Sequence, residues 1–323
     1  MSLLDTLNNT NVRGDAETAA MFFQRELESV KAQSYDVLRA PLRAFDLIPT
    51  DSTAGAGAES VVYEQYDMTG IAKIIGDYGD DLPRSDVKGK EFIAKVKSLG
   101  ASFGYSLQEI RNAQLAGKPL EARKANAAVR SIREAINRIA FYGDDDFGLQ
   151  GWLTNPNLPA VTVPADGESS GTTFASKSPS QIVRDMNAVV NSIIERTNGA
   201  EQPDTLVLPI EQYTLIASTN ADTGTDTTIL QYFIQNNPFV DTVEWSNELK
   251  ASERAKYIAS DQYSGDIMIA YRRDPDAMTL ELPVVFEQLP EQERGLEFVV
   301  PAHSRVAGTL IYYPLSQAVG EGI

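Results

Sequence analysis

The segment from Pro119 to Tyr142 constrains this chain more than any other. At about 100° per residue, Ala125, Ala128, Val129, Ile132, Ala135, Ile136, Ile139 and Ala140 fall on one side. Arg123, Arg130, Arg133, Asn137 and Arg138 fall on the other. The pattern predicts an amphipathic helix of roughly 24 residues and about 36 Å. Few helices in a compact domain are that long, so this one is expected to support something extended.

The approach to the helix is irregular. Residues 1–14 read as a polar, Asn-rich arm, and Ala19, Phe23, Leu27 and Val30 predict a helix from Asp15 to about Tyr35. Ala44–Ile48 reads as a short strand or extended segment, closed by Pro49. After a Gly- and Ala-rich link at Asp51–Gly57, Glu59–Met68 reads as a strand with neither face cleanly apolar. Such a strand is expected to project from a core or to pack on a neighbouring subunit. Residues 70–89, with Gly70, Gly76, Gly79, Pro83 and Gly89 among charges, read as the tip of that projection, and Glu91–Tyr105 as its return. Ser106 followed by Glu109 is a capping-box signature opening a short helix to about Ala116.

Beyond the long helix, helices and strands alternate. Ser178-Pro179-Ser180-Gln181 opens a helix whose apolar stripe is Ile182, Met186, Val189, Val190 and Ile193, with Gly199 as its stop. Thr205–Leu208 reads as a buried strand, followed by helices from Pro209 to Ser218 and from Thr228 to Asn236. Further strands are expected at Val240–Trp245, Ile267–Tyr271, Thr279–Val285, Glu297–Val300 and Val306–Tyr313. The alternation predicts a compact α/β body, with the closing strands returning beneath the long helix.

Nothing in the 323 residues assembles a catalytic centre. The absence of cysteine excludes disulfides and thiolate chemistry, and the single histidine, His303, cannot form a multi-histidine metal site. It reads as part of a connection between two closing strands. The nucleotide-binding, metalloprotease and nucleophile-elbow motifs are all missing. Asp144-Asp145-Asp146 and Asp222–Asp226 offer oxygen ligands without the alternation of a calcium loop, and read more simply as a solvated turn and a polar loop. No cofactor, metal or membrane span is expected, and Met1–Asp5 carries no secretory pattern.

The formal charge of −17 is segregated. Residues 73–133 carry a net +5 between acidic flanks of −6 and −4, and residues 201–323 carry −12. Complementary surfaces on different copies of the chain would produce such blocks, although plain solubility would also account for the acidic excess. A chain this acidic is poorly suited to tight phosphate binding.

The order of elements now becomes more specific than any motif. Gly57–Asp67, the helix exit Ala140-Phe141-Tyr142-Gly143, and Gly148-Leu149-Gln150-Gly151-Trp152-Leu153 resemble the Hong Kong 97-type capsid fold. Tailed-phage major capsid proteins and encapsulin compartments share that fold, and the resemblance covers most of the chain. It implies an α+β subunit with an N-terminal arm and helix (1–40) and a peripheral-domain segment (41–56). An extended β-loop (57–105), a peripheral domain with a spine helix (106–149), an axial α/β domain (150–285) and returning peripheral strands (286–323) complete it.

The resemblance implies a non-enzymatic shell subunit, built into pentamers and hexamers around double-stranded DNA without sequence-specific binding. It would be assembled in a bacterial cytoplasm and resident in the virion. A helix opening near residue 15 leaves no room for an internal scaffold, which implies a separate scaffolding protein beside a portal and decoration proteins. Tyr63, Tyr66, Arg123, Arg130 and Arg133 are the candidate intersubunit contacts. Some relatives crosslink a loop lysine; Lys73, Lys88 and Lys90 fall in that region, and noncovalent stability is the reading adopted. An encapsulin-like compartment holding protein cargo is the alternative, and a soluble α/β enzyme a distant one.

Overall fold

The computed structural model describes residues 39–70, 84–116, 120–222, 224 and 226–323. The chain divides into two compact units, Met1–Pro41 and Leu42–Ile323. In the first, only Arg39–Pro41 are described, so the expected arm and the helix at 15–35 lie outside the described residues. Most of the expected tip, with Lys73, also lies outside them. The described helices and strands of Leu42–Ile323 are numbered in chain order.

The long helix, α3, runs Leu120–Tyr142 and is preceded by α2, Leu107–Ala116. The Ser106 hydroxyl accepts the Glu109 amide at 3.1 Å and the Glu109 carboxylate accepts the Ser106 amide at 3.1 Å, closing the capping box. Ala128, Ile132, Ile136, Ile139 and Ala140 are buried, as the periodicity requires. Asn137, read with the arginines, is buried instead. Its side chain accepts the Ala44 amide at 2.9 Å and donates to Glu248 at 2.6 Å, so it bridges two neighbours rather than meeting solvent. Ala44–Leu47, read as extended, is a single helical turn, α1, with Ala44 and Leu47 against α3. Both of these readings missed because tertiary partners override local pattern.

The next divergence concerns the return from the projection. Glu91–Tyr105 is not one element: β3, Asp86–Lys95, pairs with β2, Ser60–Thr69, whereas β4, Lys97–Ser106, pairs along its whole length with β12, Glu297–Val306. Val96 is the joint. It is buried, and its amide bonds to the Glu59 carbonyl at 2.9 Å. The opposite edge of β12 is occupied in succession by β11, Gln292–Arg294, and β10, Val284–Gln288. The α3 helix packs across β4, β12 and β13, Gly308–Ile311. His303 therefore lies within β12, opposite Gly100 and Glu287, and not in a connection. The expected strand at Thr279–Val285 is likewise divided between β9, Met278–Glu281, and β10. β9 lies between β1, Thr50–Asp51, and β13 in a small separate sheet.

The α/β body holds a five-stranded sheet of β5 (Ala160–Thr162), β14 (Gln317–Glu321), β8 (Ile267–Tyr271), β6 (Thr205–Leu208) and β7 (Thr242–Trp245), in that order. Alternate residues of one strand enter different cores. Ile267, Ile269 and Tyr271 join the core beneath α3, whereas Met268 and Ala270 face α4 (Pro179–Arg196), α5 (Ile210–Ser218) and α6 (Ile229–Asn236). The last forty residues are thus shared: β12 and β13 return to α3, and β14 completes this sheet.

The crossing at 143–152 joins the two regions. Gly143 has φ +68°, and a Cβ on Gly151 would lie 2.2 Å from the Gly143 nitrogen, so two backbones touch where side chains cannot fit. Beyond that contact Trp152 is fully buried, stacked on Phe141 and edge-on to Tyr271. Its indole donates to Gln317 at 2.7 Å.

Candidate assembly surfaces

The β2–β3 ribbon pairs with no other described strand. In antiparallel register, directly opposite residues share a face. One face therefore carries Val62 with Ile93, Glu64 with Glu91, Tyr66 with Gly89, and Met68 with Val87. The other carries Tyr63 with Phe92, Gln65 with Lys90, and Asp67 with Lys88.

The second face is anchored at its base. Tyr63 stacks on Phe92 at 5.0 Å and meets Tyr312 edge-on at 4.9 Å, and partial burial raises its hydroxyl pKa. The Tyr312 hydroxyl lies 2.7 Å from Thr279 and donates to Glu281 at 3.3 Å, and burial pushes its pKa up to about 12. Glu281 is itself buried, which raises its pKa. Arg305 adds a hydrogen bond to the Ala56 carbonyl.

The first face has no such cover. Met68 is 81% exposed and Ile93 68%, and Val62, Tyr66 and Val87 are each at least half exposed. Strand pairing thus collects on one face the apolar side chains that β2 alone distributes ambiguously. Tyr66 donates to the Glu64 carboxylate, which raises the phenol's pKa.

The structure separates the five expected contact residues. Tyr63 is committed largely to its own chain, whereas Tyr66 stands on the bare face. On α3, Arg130 pairs with Glu134 at 2.8 Å, while Arg123 and Arg133 are exposed. Lys124, beside them, bonds the Gly104 carbonyl at 2.8 Å and Glu109 at 2.9 Å, which lowers the Glu109 pKa. Lys90 lies over the Phe92 ring at 4.6 Å. Sequence reasoning missed Val87 because it began the return strand at Glu91 instead of Asp86, and left Val62, Met68 and Ile93 ungrouped because no register between the two strands was assigned. With the longer strand, hairpin alternation alone would have grouped them.

The sites considered for chemistry have other roles. Asp144 forms a backbone bridge to Leu149, and His303 Nε2 lies 3.6 Å from Glu287. Among the described residues, no group of three or more His, Cys, Asp or Glu side chains could hold a metal ion, and no helix is long and apolar enough to cross a membrane.

A protein-family model described as "Major capsid protein" matches residues 70–323. The chain belongs to the major capsid protein family. Its fold is the Hong Kong 97-like capsid fold, and its role is that of a self-assembling structural subunit of a phage shell, located in the capsid of the virion. The family is one of structural proteins and not of enzymes. Among solved structures, the capsid of Myoviridae Phage XM1 superposes with a TM-score of 0.77 at 18% identity, covering 94% of this chain and 99% of that one. The capsid of an empty GTA particle gives 0.60 at 12% identity, covering 94% and 98%. A virus-like particle from Pyrococcus furiosus gives 0.50 at 11%, covering 85% and 91%. At these identities the likeness is one of fold. No curated protein matches the chain in sequence.

Proposed function

We propose that this major capsid protein builds a closed icosahedral head of pentamers and hexamers around the double-stranded DNA of a tailed phage. The observation that carries the proposal is a capsid-family subunit with an apolar ribbon face that its own body leaves bare. In this reading residues 150–285 form the axial domain around the symmetry axes, and α3 is the spine of the peripheral domain. The ribbon reaches an adjoining copy. Assembly takes place in the host bacterial cytoplasm with a separate scaffolding protein, and a portal and decoration proteins complete the head. DNA is held by enclosure, in keeping with a chain of net charge −17.

Electron microscopy of particles from producing cells, with nuclease digestion of their contents, tests the reading. Closed shells of this chain protecting long double-stranded DNA are expected. Shells filled with protein cargo and free of DNA would replace the reading with an encapsulin-like one. A uniformly monomeric chain in native mass spectrometry would overturn both.

A further inference from the structure

The sheet beneath α3 ends in an open edge at β4. In its register with β12 the Leu107 amide bonds the Leu296 carbonyl at 2.9 Å, so odd-numbered residues of β4 face β12 and even-numbered ones turn their amides and carbonyls outward. At both ends the outward groups are taken. The Val96 amide bonds the Glu59 carbonyl, Lys124 holds the Gly104 carbonyl, and Glu109 accepts the Ser106 amide. Between them Ser98, Gly100 and Ser102 are exposed, and no described strand pairs with them on that side.

The rung from Val96 to Glu59 continues the register of the ribbon, in which Ser60 faces Lys95. Further along the same register, Gly57 falls opposite Ser98 and Gly55 opposite Gly100. The link in question reads Ala54-Gly55-Ala56-Gly57-Ala58, a strict alternation. Directly opposite residues share a face. Ala56 would therefore stand beside Leu99, on the side where Leu99 and Ala101 pack against the core beneath α3, and the glycines would meet Ser98 and Gly100. In the conformation described the link makes a turn instead. The Ala58 amide bonds the Gly55 carbonyl at 2.9 Å, and Arg305 holds the Ala56 carbonyl. Neither glycine is needed for that turn, since each has room for a Cβ and neither has a positive φ. A ladder does account for period two.

We propose that residues 55–58 are a latent strand, which exchanges between this turn and a closed form that lengthens β2 along the open edge of β4. Closure adds two rungs beyond Val96, so that β2 spans the joint between β3 and β4 and holds the ribbon in line with the sheet. Opening leaves that joint bridged by the Val96 amide alone. Glycine weakens a strand, which keeps the closed form from becoming permanent. The exchange belongs to one chain and holds whatever its copies build.

The chain has no cysteine, so introduced pairs report the register. Gly57→Cys with Ser98→Cys sets two thiols opposite one another in the closed form, whereas in the turn nothing lies within 4 Å of a Cβ on Gly57. Ala56→Cys with Ser98→Cys offers a similar reach on opposite faces. Under mild oxidation of the unassembled chain, read by peptide mass spectrometry, the first pair is expected to crosslink about tenfold faster than the second. Equal rates, as from a loose loop, or no bond in either variant would overturn the inference. Amide exchange in the unsubstituted chain gives a second measure that no folding defect can obscure. Corrected for intrinsic rates, Ser98 and Gly100 are expected to exchange about twofold or more slowly than Ser102, which lies beyond the last rung. Indistinguishable rates at the three positions would overturn it equally.

Discussion

The five-stranded sheet and the two-stranded ribbon use similar residue types to opposite ends. Strand β8 buries all of Ile267–Tyr271, with alternate side chains entering cores on either side. Strand β2 carries Val62, Tyr66 and Met68 at comparable hydrophobicity and leaves each at least half exposed. Position in the sheet makes the difference. A strand flanked on both edges and covered on both faces completes its interactions within the chain, whereas a ribbon anchored only at its base leaves one face uncovered. Mutations in the first region should therefore register in the isolated chain, and mutations in the second only when copies meet.

The sharpest contrast is expected from Trp152→Ala. It removes two aromatic contacts and the hydrogen bond to Gln317, leaving a cavity. A loss of about 3–5 kcal/mol, read from denaturant unfolding, is expected. A change below 1 kcal/mol, on the order of an exposed surface substitution, would break the comparison at its rigid end.

Asn137→Ala should cost less, about 1–3 kcal/mol, because the Ala44 amide and Glu248 lose a buried partner while little volume is removed. Unfolding curves against the wild type measure it directly. A negligible effect would mean that water replaces the amide without penalty.

Smaller still is the pH effect at the ribbon's base. Burial raises the Glu281 pKa, so its protonated form is favoured by folding, with desolvation outweighing the hydroxyl donors Thr279 and Tyr312 and nearby Asp51 adding repulsion. The stability this contributes is complete below the ordinary carboxylate pKa and is lost as pH rises through the raised one. Glu281→Gln should accordingly raise the melting temperature at pH 8 and have progressively less effect towards pH 4. The opposite trend would place a charged, paired carboxylate at this site.

The least change in chain stability is expected on the bare ribbon face. Met68→Ser with Ile93→Ser should leave the melting temperature of the unassembled chain nearly unaltered, within about 0.5 kcal/mol, yet reduce shell yield. Strong destabilisation of the isolated chain would show that the ribbon belongs energetically to its own core, and would collapse the distinction between the two regions.

Local pattern carried the helices well. The stripe on α3 and the Ser178 and Thr228 starts follow from spacing and capping chemistry that neighbours in the chain supply. What sequence could not show is non-local partnership. Val96 looks like any strand residue, yet it divides β3 from β4 because their partners, β2 and β12, lie about 230 residues apart in the chain. β14 passed unnoticed because Gln317-Ala318-Val319-Gly320-Glu321 has little strand character, and its burial between β5 and β8 comes from the sheet it completes. The contact residues were legible in part. The arginines of α3 stand out by periodicity, whereas the ribbon's apolar face exists only once two strands are in register.

The crossing of Gly143 over Gly151 has a mechanical consequence. Backbone pressed on backbone leaves no side chain to swing aside, and the Thr309 hydroxyl, bonded to the Ala140 carbonyl at 2.8 Å, acts as a second rivet at the same end of α3. A turn of the helix would therefore be passed through Trp152 to the five-stranded sheet, as through a keyed shaft. The ribbon, held only at its base by Tyr63 on Tyr312, Arg305 on Ala56 and the Val96 amide on Glu59, has no such lock. A shell of such parts would accommodate curvature by bending its straps while the plates turn as rigid pieces.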